Sequence, residues 1–121
     1  MQEIWKTIGN FENYEISNKG NIRSKKNGLL KPQINRSGYK EILLYKKQPP
    51  LKTVVKSFRI HRLVLQTFKP IENSKKLQVN HVDNDRCNNN LDNLEWVTPI
   101  QNCNRKKQKN FFIIPLLVVT N

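Results

Sequence analysis

The fold is decided by residues 77–102, which read LQVNHVDNDRCNNNLDNLEWVTPIQN. A short apolar stretch ends at His81, a loop rich in Asn and Asp follows over residues 82–92, and a second apolar stretch covers residues 94–97. Short alternating apolar segments favour strands, whereas so polar a loop must be ordered by side chain–backbone hydrogen bonds. The pattern therefore predicts a strand, a loop and a return strand, with His81 at the end of the first strand.

A helix is predicted to begin directly after the return strand. Thr98 can cap it, Pro99 suits the first helical position, and Gln101 completes a capping box with Thr98. This places Asn102 in the first helical turn, where its side chain can face back toward His81. The two strands and the helix together suit a compact metal site.

The spacing of His81, Asn93 and Asn102 resembles the motif of the HNH endonucleases, in particular the phage intron-encoded nicking type. The resemblance implies a ββα-metal fold and metal-dependent hydrolysis of DNA phosphodiester bonds. It also implies that His81 is the general base, that Asn93 fixes the loop and orients His81, and that Asn80 and Asn102 hold one Mg²⁺ or Mn²⁺ ion. An imidazole suits a base near neutral pH, and hard cations prefer oxygen ligands.

Asn80 is the position at which this chain departs from many members of that family, which have Asp there. An amide oxygen carries no net charge and is therefore a poorer metal ligand than a carboxylate. This motivates an alternative, in which the protein keeps the HNH fold and binds DNA but has weakened or lost cleavage.

Two other metal sites are disfavoured by their spacing. Asp83 and Asp85 match the start of a calcium-binding loop, but the turn glycine and the terminal glutamate of such a loop are missing. The two cysteines and two histidines could supply four zinc ligands, but the chain has no C-x-x-C pair. Magnesium or manganese remains the expected cofactor.

The N-terminal half reads as short strands and turns, followed by a hairpin whose tip contains Pro49 and Pro50. Residues 3–24, with the pattern Y-x-I-S-N-x-G-x-I-R-S from Tyr14, resemble the NUMOD4 module. This resemblance implies a role in contacting DNA. The cations that we expect to contact DNA are Arg23, Lys25, Lys26, Lys31, Arg62, Arg105, Lys106 and Lys107.

Residues 60–68 place apolar side chains at helical spacing, and Pro70 stops the predicted helix. His61 opens this helix. We expect His61 to be packed and hydrogen-bonded rather than to act directly, and we expect Arg62 to reach a phosphate.

The chain carries a net charge of +13, with Lys and Arg outnumbering Asp and Glu in both halves. So basic a surface favours a polyanion, and we expect the partner to be double-stranded DNA. A basic RNA- or ribosome-associated protein is an alternative, although the usual aromatic stacking motif is missing. One site in a monomer would nick one strand. Two cysteines and an N-terminus unlike a signal peptide favour an intracellular protein that is not secreted.

These patterns predict an α+β protein with three segments. Residues 1–58 form a small β-rich NUMOD4-like module, and residues 59–109 form the HNH domain with its ββα-metal core at about 77–107. Residues 110–121 form an apolar tail. The tail is too short for a membrane span, which needs about twenty residues, and it could derive from truncation of a longer protein.

Overall fold

The computed structural model of the chain describes residues 2–103. Nine strands and one long helix account for most of them, with short 3₁₀ turns at Ser74–Lys76 and Leu91–Asn93. The elements are β1 (Trp5–Ile8), β2 (Phe11–Ser17), β3 (Ile22–Ser24), β4 (Gly28–Leu29), β5 (Gln33–Ile34), β6 (Lys40–Gln48), β7 (Leu51–Arg59), α1 (Ile60–Phe68), β8 (Gln78–His81) and β9 (Leu94–Val97). A further helix begins at Pro99 and continues to the end of the described residues.

The strands form three antiparallel sheets. Strands β1 to β4 make a four-stranded sheet in sequence order, β5 to β7 make a three-stranded sheet, and β8 and β9 make a two-stranded ribbon. The long hairpin of β6 and β7 turns at Pro49 and Pro50, as the sequence predicts. The proline pair sits outside the ladder because proline cannot donate a backbone hydrogen bond.

Helix α1 joins the three sheets into one body, since it contacts β1 and β2, β6 and β7, and β9. The sequence predicts its bounds correctly. Its buried face belongs to a single hydrophobic cluster to which both halves of the chain contribute. The fully or nearly buried members are Ile8, Phe11, Ile16, Ile22, Leu44, Ile60, Leu63, Val64, Leu65, Val79 and Leu94. The expected division after residue 58 therefore falls within β7, one residue before its end at Arg59, and inside a shared core.

The predicted ββα unit is present: β8 and β9 pair over residues 78–81 and 94–97, and the helix follows at Pro99. Its expected continuation to residue 107, the cations Arg105, Lys106 and Lys107, and the apolar tail at 110–121 lie outside the described residues. Within residues 2–103, no helix is both long and apolar enough to cross a membrane.

His61 lies at the start of α1, inside a cluster of three aromatic rings. Its imidazole stacks on the Tyr39 ring with centroids 5.0 Å apart, and the His81 ring lies 5.2 Å from it on centroids. The side chain is buried, as expected. Burial, helped by the neighbouring His81, Arg59 and Arg62, lowers the pKa of His61 from 6.5 to about 3.

Leu44 and Leu43 offer a matched test of the shared core. Leu44 is fully buried, whereas Leu43, its neighbour on β6, faces solvent. We expect Leu44→Ala to reduce the free energy of unfolding by about 2–5 kcal/mol through a single cooperative transition, and Leu43→Ala by less than about 1 kcal/mol. Urea denaturation measures both. Separate transitions for the two halves of the chain would contradict a shared core.

The lowered pKa of His61 makes the stability of the fold depend on pH. In the unfolded chain His61 binds a proton below about pH 6.5, whereas in the folded protein it stays neutral until about pH 3. The contribution of neutral His61 to the free energy of unfolding is therefore fully present above pH 6.5. It is lost as pH falls from 6.5 toward 3, by at most about 1.4 kcal/mol per pH unit. Denaturation of His61→Gln between pH 7 and pH 5 should show a shallower loss than the wild type. Equal slopes of unfolding free energy against pH in His61→Gln and wild type would contradict a role of His61 in this pH dependence.

Candidate active site

His81 is delivered to the site by the end of β8. It pairs with Leu94 across the ribbon, and Asn80 pairs with Glu95. Both Asn80 and His81 are buried, although both are polar. Beyond His81 the chain turns through Asn84, whose backbone adopts a φ of 64° that asparagine tolerates better than most residues.

The predicted capping box positions Asn102. The Thr98 backbone N–H donates to Gln101 Oε1 at 3.0 Å, and the Gln101 N–H donates to Thr98 Oγ1 at 3.1 Å. The resulting first turn buries the Asn102 side chain, whose Nδ2 donates to Gln78 Oε1 on β8 at 2.9 Å. The helix start is thereby tied to the strand that carries His81.

Asn80, His81 and Asn102 line one open pocket of about 280 Å³, together with Tyr39, Val79, Asn84 and Arg86. The structure thus brings together the predicted base and both predicted metal ligands. Asn102 Oδ1 is buried and has no hydrogen-bond partner among residues 2–103. A buried amide oxygen left unsatisfied is costly unless a ligand completes it, and oxygen is the donor that Mg²⁺ and Mn²⁺ prefer. The donor set therefore fits a hard divalent ion.

The His81 ring is held by Asn89 from the loop. Nε2 of His81 lies 2.9 Å from Asn89 Oδ1, and both side chains are buried. An amide oxygen can only accept, so this contact places the proton on Nε2 and the lone pair on Nδ1. Burial lowers the pKa of His81, against the opposing effects of the Asn89 contact, Asp83 and Asp85. The imidazole is therefore neutral at pH 7.

Asn93 holds the loop rather than the ring. Its Nδ2 donates to Asp83 Oδ1 and to the Asn88 carbonyl, both at 2.9 Å, and its Oδ1 accepts from the Asp83 N–H at 3.1 Å. Asn93 therefore fixes the loop, as expected, while Asn89 is a side chain that hydrogen-bonds the ring directly. A role of Asn93 in orienting His81 stays a prediction. The contacts of Asn93 are with Asp83 and Asn88, in the loop that follows His81.

Arg86 is a second residue that the sequence analysis missed. It lines the pocket, its guanidinium lies 5.0 Å from the centre of the Tyr39 ring, and it donates a hydrogen bond to the Ser37 carbonyl. These contacts hold a cation at the wall of the pocket. The pocket lining within residues 2–103 includes no carboxylate, and the acids that act on His81 are Asp83 and Asp85 of the loop.

The eight cations predicted to contact DNA differ in their surroundings. Lys25, Lys26 and Lys31 are exposed and stay predictions. Arg23 donates to Glu15 at 2.9 Å and stacks over the Trp5 ring, so much of its charge is already engaged. The remaining described member is Arg62, and the last three, at positions 105–107, lie outside the described residues.

Arg62 has a structural role within the fold. Its two terminal nitrogens donate to the carbonyls of Leu77 and Ser74, both at 2.9 Å, and its guanidinium packs over the Trp96 ring. It therefore ties α1 to the segment that leads into β8. Contact of Arg62 with a phosphate stays a prediction, and it would have to be made by N–H groups that these two carbonyls leave unused.

Comparison with known proteins identifies both parts of the chain. Residues 3–45 match the NUMOD4 motif, and residues 58–103 match the HNH endonuclease family. An uncharacterized HNH endonuclease of Acanthamoeba polyphaga mimivirus is 44% identical over 105 residues, which cover 86% of this chain and 30% of that protein. The DNA endonuclease I-HmuI of Bacillus phage SP01 is 40% identical over 97 residues, which cover 78% of this chain and 52% of I-HmuI.

The likeness extends to three dimensions. A solved structure that describes DNA binding and cleavage by the HNH homing endonuclease I-HmuI matches with a TM-score of 0.72 at 34% identity, covering 97% of this chain and 64% of that one. This confirms the predicted fold class. The chain spans about half or less of the length of the curated relatives. The chain thus carries a NUMOD4 motif followed by a segment of the HNH endonuclease family, and it is similar in sequence and in structure to the HNH homing endonuclease I-HmuI.

Proposed function

We propose that this protein is a metal-dependent endonuclease that hydrolyses phosphodiester bonds of double-stranded DNA and nicks one strand. The observation that carries the proposal is the pocket in which a neutral His81, held through Nε2, lies beside two buried amide side chains, Asn80 and Asn102. A base next to oxygen donors is the arrangement that hydrolysis of a phosphodiester requires.

His81 supplies the base. A water molecule attacking phosphorus must lose a proton, and the Nδ1 lone pair of His81 can accept it while Nε2 stays bonded to Asn89. Because burial keeps the pKa of His81 below its ordinary value, the ring is ready to accept that proton at neutral pH.

The predicted metal ligands are the side-chain oxygens of Asn80 and Asn102. A divalent ion, when bound, supplies a Lewis acid for the phosphate and for the departing 3′ oxygen. The chain's own contribution is to offer two neutral oxygen donors on rigid elements, one on β8 and one in a capped helical turn. The ion is Mg²⁺ or Mn²⁺, since such hard ions favour oxygen.

Arg86 and the basic surface favour a DNA phosphate as the occupant of the pocket. Arg86 is the cation of the pocket wall, and a guanidinium is well suited to a phosphate oxygen. The exposed Lys25, Lys26 and Lys31 and the net charge of +13 favour a duplex backbone along the N-terminal module. We propose a monomer, in which a single site cuts one strand and leaves 5′-phosphate and 3′-hydroxyl ends.

A DNA-binding protein without cleavage is the second candidate, and Asn80 is the observation that favours it. Two amides carry no negative charge with which to attract a cation. In that case the protein would retard DNA in a gel, and this binding would weaken as salt rises. The DNA would stay uncut with either Mg²⁺ or Mn²⁺.

Incubation with supercoiled plasmid decides between these candidates. We expect wild-type protein with Mg²⁺ or Mn²⁺ to produce open-circular DNA, and EDTA to abolish it. His81→Ala should lower the rate by about 10²–10⁴-fold while DNA binding is retained, because only the base is lost. Agarose gels measure the nicking, and gel shifts measure the binding. Nicking by His81→Ala at the wild-type rate would contradict the role of His81.

Asn80→Asp tests the metal assignment. A carboxylate at this position should tighten Mn²⁺ binding to the protein–DNA complex by roughly tenfold, about 1.4 kcal/mol, as measured by electron paramagnetic resonance of free Mn²⁺. Asn84→Asp is the matched control, since Asn84 lines the same pocket but is not a predicted ligand. Its effect should stay below about threefold by long-range charge alone. Equal effects of the two substitutions would contradict ligation by residue 80.

A further inference from the structure

Asn89 lies between the catalytic loop and the N-terminal module. On one side its Oδ1 accepts from His81 Nε2 at 2.9 Å. On the other side it packs against the turn between β2 and β3, which belongs to the NUMOD4 motif. The side chain is buried, and its Nδ2 has no hydrogen-bond partner among residues 2–103. Asn89 is therefore held mainly by the His81 contact and by packing.

Gly20 makes the close contact from the N-terminal side. Its φ is 81°, a conformation in which glycine is strongly preferred. A methyl group on Gly20 would lie 2.7 Å from Cβ of Asn89 and 2.9 Å from its carbonyl oxygen. These distances are well inside van der Waals contact, so no side chain fits unless Asn89 moves.

The same turn holds the loop beyond Asn89 as well. The Leu91 N–H donates to the Asn18 carbonyl at 2.8 Å. Asn18 is in turn fixed to the residue before β1, because its Oδ1 accepts from the Ile4 N–H at 2.9 Å. The segment that carries Asn89 is thus tied by one hydrogen bond and one steric contact to the first sheet.

We propose that Asn89 is a positioning residue for His81, and that the turn at Gly20 sets the position of Asn89. The N-terminal module then contributes to catalysis through the orientation of His81, in addition to any contact with DNA. This inference rests on the proposed function only for what the positioned ring does. The geometric part concerns the tautomer and orientation of His81 and stands independently of cleavage.

Gly28 provides a matched control for Gly20. Its φ is 79°, nearly the same as that of Gly20, but nothing lies within 4 Å of where a methyl group would be. Gly20→Ala and Gly28→Ala therefore impose similar backbone strain, and only the first pushes on Asn89. A difference between the two variants in the His81 signals or in kcat therefore reports on the steric contact between residue 20 and Asn89.

The first test is nitrogen NMR of the imidazole rings in the free protein at pH 8. The chain has only two histidines, and His81→Gln identifies the signals of His81. In the wild type the two ring nitrogens of His81 should have well-separated shifts, as expected for a single Nε2–H tautomer. Asn89→Leu and Gly20→Ala should bring the two shifts toward each other, because the tautomer is no longer fixed. Asn89→Asp, which keeps an acceptor oxygen, and Gly28→Ala should resemble the wild type.

The second test separates kcat from KM on plasmid DNA. We expect Gly20→Ala and Asn89→Leu to lower kcat by roughly 10–100-fold, within the usual contribution of a general base, with KM changed by less than about threefold. Gly28→Ala should keep wild-type values. If wild-type protein cuts no DNA, the proposed function fails while the NMR measurement still decides the positioning role.

Thermal denaturation provides a third test, which applies even when a variant is too unstable for NMR. If Gly20→Ala is too unstable for NMR, the double variant Gly20→Ala/Asn89→Gly removes the side chain that the methyl group would meet first. Its midpoint should then exceed that of Gly20→Ala, whereas Gly28→Ala/Asn89→Gly should show simple additivity. The proposal is overturned if His81 signals are alike in Gly20→Ala and Gly28→Ala, if Asn89→Leu keeps the wild-type tautomer, or if residues 20 and 89 are additive.

Discussion

The loop between β8 and β9 cannot bury itself, and this constraint governs the whole site. Its residues are mostly Asn and Asp, and it follows directly on His81. Hydrogen bonds from Asn93 to Asp83 and Asn88 close it from within, while Asn18 and Gly20 hold it from the first sheet. The order of the loop beside His81, the predicted base, therefore depends on the NUMOD4 segment, which was expected to contact DNA.

This dependence explains why the two modules share a hydrophobic core. Helix α1 packs against strands of all three sheets, so the first sheet and the β8–β9 ribbon keep a fixed relation. A flexible linker between the modules would let the turn at Gly20 drift away from Asn89. Since a base must lie within a few tenths of an ångström of its working position, rigid packing of the N-terminal module would serve the base that we propose.

The pocket has an unusual balance of charge for the metal site that we propose. Asn80 and Asn102 are neutral, and Arg86 is positive. Under the proposed function, a cation in this pocket would gain its electrostatic partner from the phosphate of the DNA rather than from the residues that line the pocket. We therefore expect metal affinity and DNA binding to reinforce each other, since each ligand improves the site for the other.

Local patterns in the sequence predicted the local parts of this structure. The capping box at Thr98, the end of α1 before Pro70 and the hairpin around Pro49 all follow from the chemistry of neighbouring residues, and each is present.

The long-range contacts could not be predicted in that way. Three consecutive asparagines at 88–90 give no periodicity that would single out Asn89, and its partner Gly20 lies far away in the chain. Arg86 depends on a contact with Ser37, 49 positions earlier. Arg62 carries the same charge as a phosphate-binding residue, and only the fold shows that its guanidinium turns inward.

The chemical nature of the cut ends tests the central claim most directly. Plasmids carrying random inserts would be nicked with Mn²⁺ and then given to a DNA polymerase with labelled nucleotides, with and without prior phosphatase treatment. Hydrolysis at a single metal-dependent site predicts label in open-circular DNA without phosphatase, because each nick carries a 3′-hydroxyl. Ends that require phosphatase, or label found mainly in linear DNA cut on both strands, would contradict a hydrolytic nicking site built on His81.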